Sequence, residues 1–406
     1  MNDARKWRAV FCGQLSQKRR RVSTKCILLE YGAAIVNSPR MANAADVVLQ
    51  IVPRVSDNPD GVTDYALNLA RNLLGEYRLT TVFAAAERSR ISEKEGFKIT
   101  PMGEGGAPRE RPARVILHYV NYGYQKRGLP FSSLPVWRAL RQSCRGRFLV
   151  IFHELFASGP PWKSEFWVHP LQKKIARDVA RLGDARLVSS ESMGRSLLQL
   201  APHLDVIVHP VPSAFGEPGI APSQLRERDN HRWLICGGTA LVERSLRSFV
   251  QIAGAIPANI APRNLVVVGG TENSKVRQML KTLADIHCEY HPAVSPKTAS
   301  QILSTCPFAW LDYFTAGSMI PDLLLKSSSF ANVCAHAVVC VTPRVSSAIS
   351  LNRDSLPGPF TIAHDEVMLP APNERPDVAR EIYNWYHRHA SVTTLVQMVA
   401  KALQLA

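Results

Sequence analysis

Apolar residues along this chain fall into short, unbroken runs separated by stretches of helical period. Residues 47–52, 80–84, 115–120, 148–152, 186–189 and 206–208 read as buried strands, and 62–75, 133–143, 168–182 and 192–200 as the helices between them. In the first helix Val62, Tyr65, Ala66, Leu69 and Leu73 share one face. After a stretch without periodicity, "SAFGEPGIAPSQLRERDNH", a second series of strands begins at 233–236, 265–268, 308–311 and 338–341. Strand–helix alternation of this kind predicts α/β architecture with parallel, doubly wound sheets. The tail "DVAREIYNWYHRHASVTTLVQMVAKALQLA" predicts one or two amphipathic helices.

Length supports two such units, because 406 residues exceed what one core of ordinary size holds. The expected division is 41–215, a linker at 216–231, a second unit at 232–375, and closing helices at 376–406. With 46% hydrophobic and 20% charged residues the composition is that of a globular protein. No uncharged apolar run reaches the length of a membrane span. The eight cysteines are scattered without a CxxC pair, which points to reduced, structural thiols and a cytoplasmic protein. Charge changes the picture at one end. Residues 1–40 hold nine Lys or Arg against two acidic residues, so +7 of the net +16 sits there, "KRRR" included. These residues are expected to be a disordered basic arm, or to precede a natural start at Met41. Such an arm favours peripheral contact with an anionic membrane, while nucleic-acid binding is not expected.

Candidate chemistry clusters where strands end, since ligands of doubly wound sheets sit beyond the carboxyl ends of strands. After the first strand comes "RVSDNPDGVTDYALNLARNL", in which Asp60 is a candidate N-cap and Gly61 lets the backbone bend or pass close to a ligand. Asp57, Asp60 and Asp64 bring carboxylates to the same place, either as helix-terminus charges or, for Asp60, as a catalytic base. "RFLVIFHE" ends in His153 and Glu154, and "LHYVNYGYQKRGLP" brings Tyr119, Tyr122 and Tyr124 to a strand end, suited either to stacking on an acceptor or to packing. In "LLLKSSSFANVCAHA", Lys326 precedes a helix start carrying Ser327 and Ser328, a combination of cation and backbone N–H groups that suits a diphosphate. "CGGTALVERSL" offers Gly238 and Thr239 in a loop able to approach phosphates. The Cys334, His336 and Cys340 spacing in "CAHAVVC" fits core packing better than zinc, and no metal site is expected.

Taken in order, these motifs resemble the GT-B glycosyltransferases, especially their family 4-like group. The resemblance rests on "DNPDGVTDYALNLARNL", "FHELFASGPPWKS", "ARLVSSESMGRSL", "VIVHPVPSAFGEP" and "KSSSFANVCAHAVVCV", and covers about residues 46 to 400. It implies two Rossmann-like domains facing a central cleft, with C-terminal helices. It also implies transfer of a sugar from a nucleotide-sugar co-substrate to a glycan, lipid-linked or small-molecule acceptor, without a further cofactor. By the same resemblance His153 contacts the donor sugar and Arg244 neutralises the leaving diphosphate; Glu154, a carboxylate able to accept a proton, is expected either to orient His153 or to act on the acceptor hydroxyl. The family pattern commonly carries two glutamates eight positions apart; here Leu324 and Asn332 occupy those places, and the ribose contact is left to Asn332 or to a glutamate elsewhere. That departure keeps two alternatives open: a non-catalytic binding or scaffold protein of the same fold, and a nucleotide-sugar isomerase.

Overall fold

The computed structural model describes residues 47–55, 60–87, 91–102, 112–157, 159, 162–314, 320–344, 348–363 and 366–405. The basic arm, Met41 and Asp57 lie outside the described residues.

The first half is an eight-stranded sheet built from β1 (Val47–Val52), β2 (Thr80–Ala85), β3 (Glu93–Lys94), β4 (Phe97–Pro101), β5 (Arg114–Tyr119), β6 (Phe148–Phe152), β7 (Ala185–Val188) and β8 (Val206–Val208). Its order is β3-β4-β2-β1-β5-β6-β7-β8, parallel except for the short β3–β4 pairing. The second half is a seven-stranded sheet of β9 (Arg232–Cys236), β10 (Asn264–Val268), β11 (His287–His291), β12 (Phe308–Trp310), β13 (Val339–Thr342), β16 (Phe360–Ala363) and β17 (Glu366–Met368), in the order β11-β10-β9-β12-β13-β16-β17. A separate hairpin joins β14 (Ile349–Leu351) to β15 (Asp354–Leu356). The central strands are buried nearly throughout, the signature of parallel sheets covered on both faces. Chain direction across each sheet reverses beside its first strand, between β1 and β5 and between β9 and β12. Those switch points open the crevices in which such folds bind ligands.

The helix Gly61–Tyr77 begins where Asp60 caps the backbone N–H groups of Val62 and Thr63, and ends at Arg78 in the left-handed region, φ 56°. Its buried face holds Tyr65, Leu69 and Leu73. The C-terminal helix Val392–Ala402 returns from the second half to pack Leu395, Val396 and Val399 against that face. The preceding helix, Arg375–His389, packs Trp385 and Tyr386 into the core of the second half. The tail therefore belongs to both halves.

The connection between the sheets is bonded along much of its length. Ser213 Oγ and the backbone N–H groups of Ala214 and Phe215 all donate to Asn332 Oδ1, at 2.9, 2.8 and 3.2 Å. Tyr386 Oη accepts from Ser213 N and donates to Glu217. Within the expected linker, Pro222–Arg226 is a short helix, and Arg228 is buried with its guanidinium on the carbonyls of Ser304, His336 and Ala337.

Candidate functional site

Two adjoining chambers lie between the halves. The first has a volume of about 410 Å³ and is lined from one side by Asp60, Gly61, Tyr65, Val120, His153 and Glu154, and from the other by Tyr313, Lys326 and Ser328. The second, about 370 Å³, is lined by Tyr122, Phe156, Met193, Ile320 and Leu323 among others. Glu154 and Lys326 line both, so they stand where the chambers meet.

The first-half wall is a chain of side chains fixed by the strands beneath it. Gln50, on β1, donates from its amide to Thr81 Oγ1 at 3.2 Å. Its Oε1 lies 2.8 Å from His118 Nε2, and His118 Nδ1 lies 3.1 Å from His153 Nε2. With the Gln50 amide donating to Thr81, its oxygen accepts from His118 Nε2–H. A neutral imidazole has one donor and one acceptor nitrogen, so His118 Nδ1 accepts from His153 Nε2–H. His153, which lines the chamber, is thereby left with a lone pair on Nδ1. Both rings are neutral at physiological pH: burial holds His118 well below the usual histidine value, and burial brings His153 down to about 4 against a partial upward pull from Asp60. Tyr65 packs its ring edge-on to both, centroids 5.9 and 5.0 Å away. Its buried hydroxyl has no hydrogen-bond partner among the described residues.

The second-half wall presents a cation and a helix start. Ser327 caps the helix Ser328–Ala335 by accepting from Phe330 N, so its hydroxyl is engaged. Ser328, the first helical residue, lines the chamber beside Lys326. Lys326 makes no ion pair or side-chain hydrogen bond among the described residues, and its charge pulls the Glu154 carboxyl down against a larger upward push from burial. The net effect leaves Glu154 raised above its usual value.

Several expected site residues are placed elsewhere. Tyr119 is fully buried in the core between Trp137 and Phe152, centroids 6.2 and 5.3 Å away, and no acceptor can reach it. Tyr124 packs on Trp137 and donates to the carbonyl of His118 at 2.8 Å, an anchoring role for the strand. Tyr122 alone of the three lines a chamber, its hydroxyl accepting from Gln172. Asn332 is buried and its Oδ1 is taken by the interdomain strap, so it cannot grip a ribose. Arg244 does not line the chamber; it donates to the carbonyls of Asp312 and Tyr313 and so fixes the loop that carries Tyr313 into it. Gly238 is the N-cap of the helix Thr239–Ile252 with open space around its Cα, but neither it nor Thr239 lines the chamber with Lys326. That loop still lies against the Lys326 side, because a Cβ on Gly237 would come within 2.8 Å of Ser329 Oγ.

Asp60 is corrected as a base. Its Oδ1 accepts from Val62 N and Thr63 N, and its Oδ2 pairs with Arg54 at 2.7 Å. Burial works against its charge, but those bonds outweigh it and hold the carboxyl below its usual value, which suits a cap and not a proton acceptor. Gly61 lines the chamber, and a Cβ there would meet nothing within 4 Å, so the space beside it is open. Sequence reasoning passed over Gln50, His118, Tyr65 and Tyr313. The signal for the first two was a polar residue at an inner position of an otherwise apolar strand, in "VVLQIV" and "RVILHY". Among the described residues no group of three or more His, Cys, Asp or Glu could hold a metal, and His336 bonds Asn332 O and Ser300 Oγ.

No family model matches the chain, and no curated protein matches it. Solved structures do. An α-glucosyltransferase in complex with UDP and a DNA 13-mer superposes with a TM-score of 0.54 at 10% identity, over 88% of this chain and 99% of that one. A trehalose-6-phosphate structure from E. coli with UDP-2-fluoro glucose gives 0.52 at 8% identity, over 89% and 99%. The UDP-forming α,α-trehalose-phosphate synthase from Burkholderia vietnamiensis gives 0.51 at 11%, over 88% and 98%. At such identities the likeness is one of fold, and the fold is GT-B: two Rossmann-like halves across a cleft.

Proposed function

We propose that this chain is a glycosyltransferase that moves a sugar from a nucleoside diphosphate to a hydroxyl acceptor. One observation carries the reading. Lys326 and Ser328, at a helix N-terminus on one half, share a single chamber with His153 and Glu154 on the other. Its volume of about 410 Å³ falls in the usual range of ligand sites, roughly 300–1,000 Å³. Five of the solved structures with this fold were determined with UDP or a UDP-sugar, which supports the same class of donor here.

In this scheme residues 232–375 hold the donor and 41–215 present the acceptor. The diphosphate rests against Lys326 and the backbone N–H groups that begin the helix Ser328–Ala335. The sugar then reaches the first-half wall, where His153 Nδ1 accepts from a sugar hydroxyl and the Tyr65 hydroxyl supplies a donor. As the bond from the anomeric carbon to the diphosphate oxygen breaks, negative charge grows on the leaving group beside Lys326. An acceptor in the second chamber meets Glu154 where the chambers join, and its hydroxyl proton passes to that carboxylate as the new glycosidic bond forms. Most of the rate comes from holding the two substrates in one geometry.

A second reading, a non-catalytic protein of this fold, is favoured by one observation: buried Leu324 and strap-bound Asn332 occupy the places of the expected acidic pair. Thermal unfolding with UDP, GDP, ADP and their sugar conjugates separates the two readings, combined with an assay for sugar release. At a hundredfold excess over Kd a ligand of the folded state adds about 2.7 kcal/mol, a shift of several degrees. Stabilisation by one nucleotide with slow donor hydrolysis supports the transferase. Stabilisation without any turnover in the presence of glycan and lipid-linked acceptors favours the binding protein, conversion of the donor to an isomer favours the isomerase, and no shift with any nucleotide removes the donor site.

A further inference from the structure

The helix Ser164–Ala180 is oriented with bulky apolar residues on both faces. Its inner face buries Gln172, Ile175, Ala176 and Val179. Its outer face carries Phe166, Trp167 and Leu171, exposed by 44, 71 and 44%, and Trp162 just before the helix is 83% exposed. At helical spacing Lys163, Trp167, Pro170, Leu171 and Lys174 form one stripe. Scattered surface apolar residues need no explanation, but two tryptophans, a phenylalanine and a leucine within ten residues form a patch.

The charges around the patch are mostly positive. Lys163 and Lys174 are exposed on the stripe, and Lys126 and Arg127 are exposed on the loop whose Arg127 carbonyl accepts from Gln172 of this helix. Of the two acidic residues on the helix, Asp178 is paired with Arg138 at 3.4 Å. An apolar face with tryptophans, edged by lysines, suits a helix lying in the headgroup region of an anionic bilayer. The same helix holds the wall of the second chamber: His169 bonds Ala157 O at 2.6 Å, Gln172 accepts from Ala157 N at 2.8 Å, and Lys173 lies over the Phe156 ring.

We propose that Trp162, Phe166, Trp167 and Leu171 form a membrane-docking surface that seats the first half on an anionic lipid bilayer, beside the chamber lined by Tyr122 and Phe156. The surface stands on the helix itself; its consequence, that the acceptor is lipid-linked, rests on the transferase reading.

The test is cosedimentation of the full chain with vesicles of phosphatidylcholine, alone or with about one third phosphatidylglycerol. Brominated acyl chains, which quench only inserted tryptophan, give a second readout. Wild type is expected to bind the anionic vesicles, less so in high salt, and to show quenching. The triple variant Trp162→Ser/Phe166→Ser/Trp167→Ser is expected to bind at least about tenfold more weakly and to lose the quenching. The double variant Lys163→Glu/Lys174→Glu keeps the aromatics, and its binding to anionic vesicles is expected to fall about tenfold. Folded wild type that ignores anionic vesicles overturns the proposal. So do variants that bind as wild type does, which would assign binding to residues 1–40, and a patch-dependent dimer in sedimentation velocity without lipid binding. Nucleotide-induced stabilisation of the same samples reports on the transferase reading separately, so either idea can fail alone.

Discussion

The two walls of the cleft solve opposite electrostatic problems. The first-half wall, apart from the carboxylates of Asp60 and Glu154, is built on a neutral core: Gln50, His118 and His153 form a line of side chains whose burial suppresses charge and whose mutual hydrogen bonds fix each donor and acceptor. The second-half wall is cationic, with Lys326 beside the start of the helix Ser328–Ala335. A neutral, directional wall is suited to sugar hydroxyls, which must be told apart by orientation. A positive wall of backbone N–H groups is suited to phosphate, which needs charge compensation more than direction. The difference explains why changes on the two sides should fail in different ways.

The largest effect is expected on the cationic side. Lys326→Ala should lower kcat/KM by about 10²–10³, the loss typical of removing one donor to developing negative charge. Stability should stay within about 0.5 kcal/mol, because Lys326 has no hydrogen-bonding side-chain partner among the described residues. Steady-state kinetics beside a melting curve reads both. A folded variant with full activity would remove the cation from the mechanism and, with it, the electrostatic difference between the two walls.

Acid should strike the neutral side next. The His153 ring takes a proton at about 4 in the folded protein against about 6.5 in the open chain. Below about 6.5 the unfolded chain binds the proton first, so stability is complete above that value and drains away as pH falls towards 4. The full difference amounts to about 3 kcal/mol for one such histidine. His209 is held at about 4 in the same way and adds to the effect. Denaturant titrations at pH 7, 6, 5 and 4 on wild type and His153→Gln should show a shallower pH dependence in the variant. Equal slopes would mean that the ring is not desolvated as the hydrogen bonds require. Imidazole ¹⁵N shifts of His153 at neutral pH offer a direct check, with Nε2 protonated and Nδ1 bare as the expected pattern.

How far the sequence led also differs between the walls. The fold was legible because parallel strands buried on both faces leave long apolar runs, and the boundaries of β1, β6 and β8 fall where those runs do. Lys326 and its serines were legible because a cation next to a helix start is local in sequence. The His118–His153 contact spans thirty-five positions and the Gln50–His118 contact sixty-eight, so neither leaves a local pattern. Tyr119 and Tyr124 misled for the related reason that a strand end with three tyrosines does not reveal which ring points inward. Asn332 misled because its partners, Ser213 to Phe215, are far away in sequence. The short strands β3, β4 and β14 to β17 carried too few apolar positions to register as runs.

Tyr65→Phe should separate folding from function within one wall. The hydroxyl is buried without a partner in the described residues, and such a group costs on the order of 1 kcal/mol when ligand is absent. Removing it should raise the unliganded melting temperature while weakening the donor sugar by about tenfold, if the hydroxyl donates to it. Nucleotide alone should bind unchanged, because Tyr65 stands on the wall proposed to meet the sugar. A variant less stable than wild type would point to an internal partner for the hydroxyl and remove it from the substrate.

The smallest expected change is the sharpest test of what the acidic loop after β1 does. Asp60 lines the chamber, and its carboxylate spans two jobs: Oδ1 caps the helix Gly61–Tyr77 and Oδ2 pairs with Arg54. Asp60→Asn keeps an oxygen able to accept from Val62 and Thr63 but gives up the charge. The Arg54 partner is about half exposed, where ion pairs contribute roughly 0–1 kcal/mol. The variant should therefore lose less than about 1 kcal/mol of stability. Asp60→Ala, which loses the cap as well, should lose about 1 kcal/mol more. Losing the charge also removes the upward pull that Asp60 exerts on His153, so the His153 ring of the variant should take its proton at slightly lower pH, read from its imidazole ¹⁵N shifts. Activity at neutral pH should change by no more than about threefold, because a general base would contribute about 10²–10⁴ and Asp60 has neither the free lone pairs nor the raised affinity for a proton that the task requires. A fall of two orders of magnitude in kcat for Asp60→Asn, with stability intact, would restore Asp60 as the base and move the proton from the junction at Glu154 to the loop after β1.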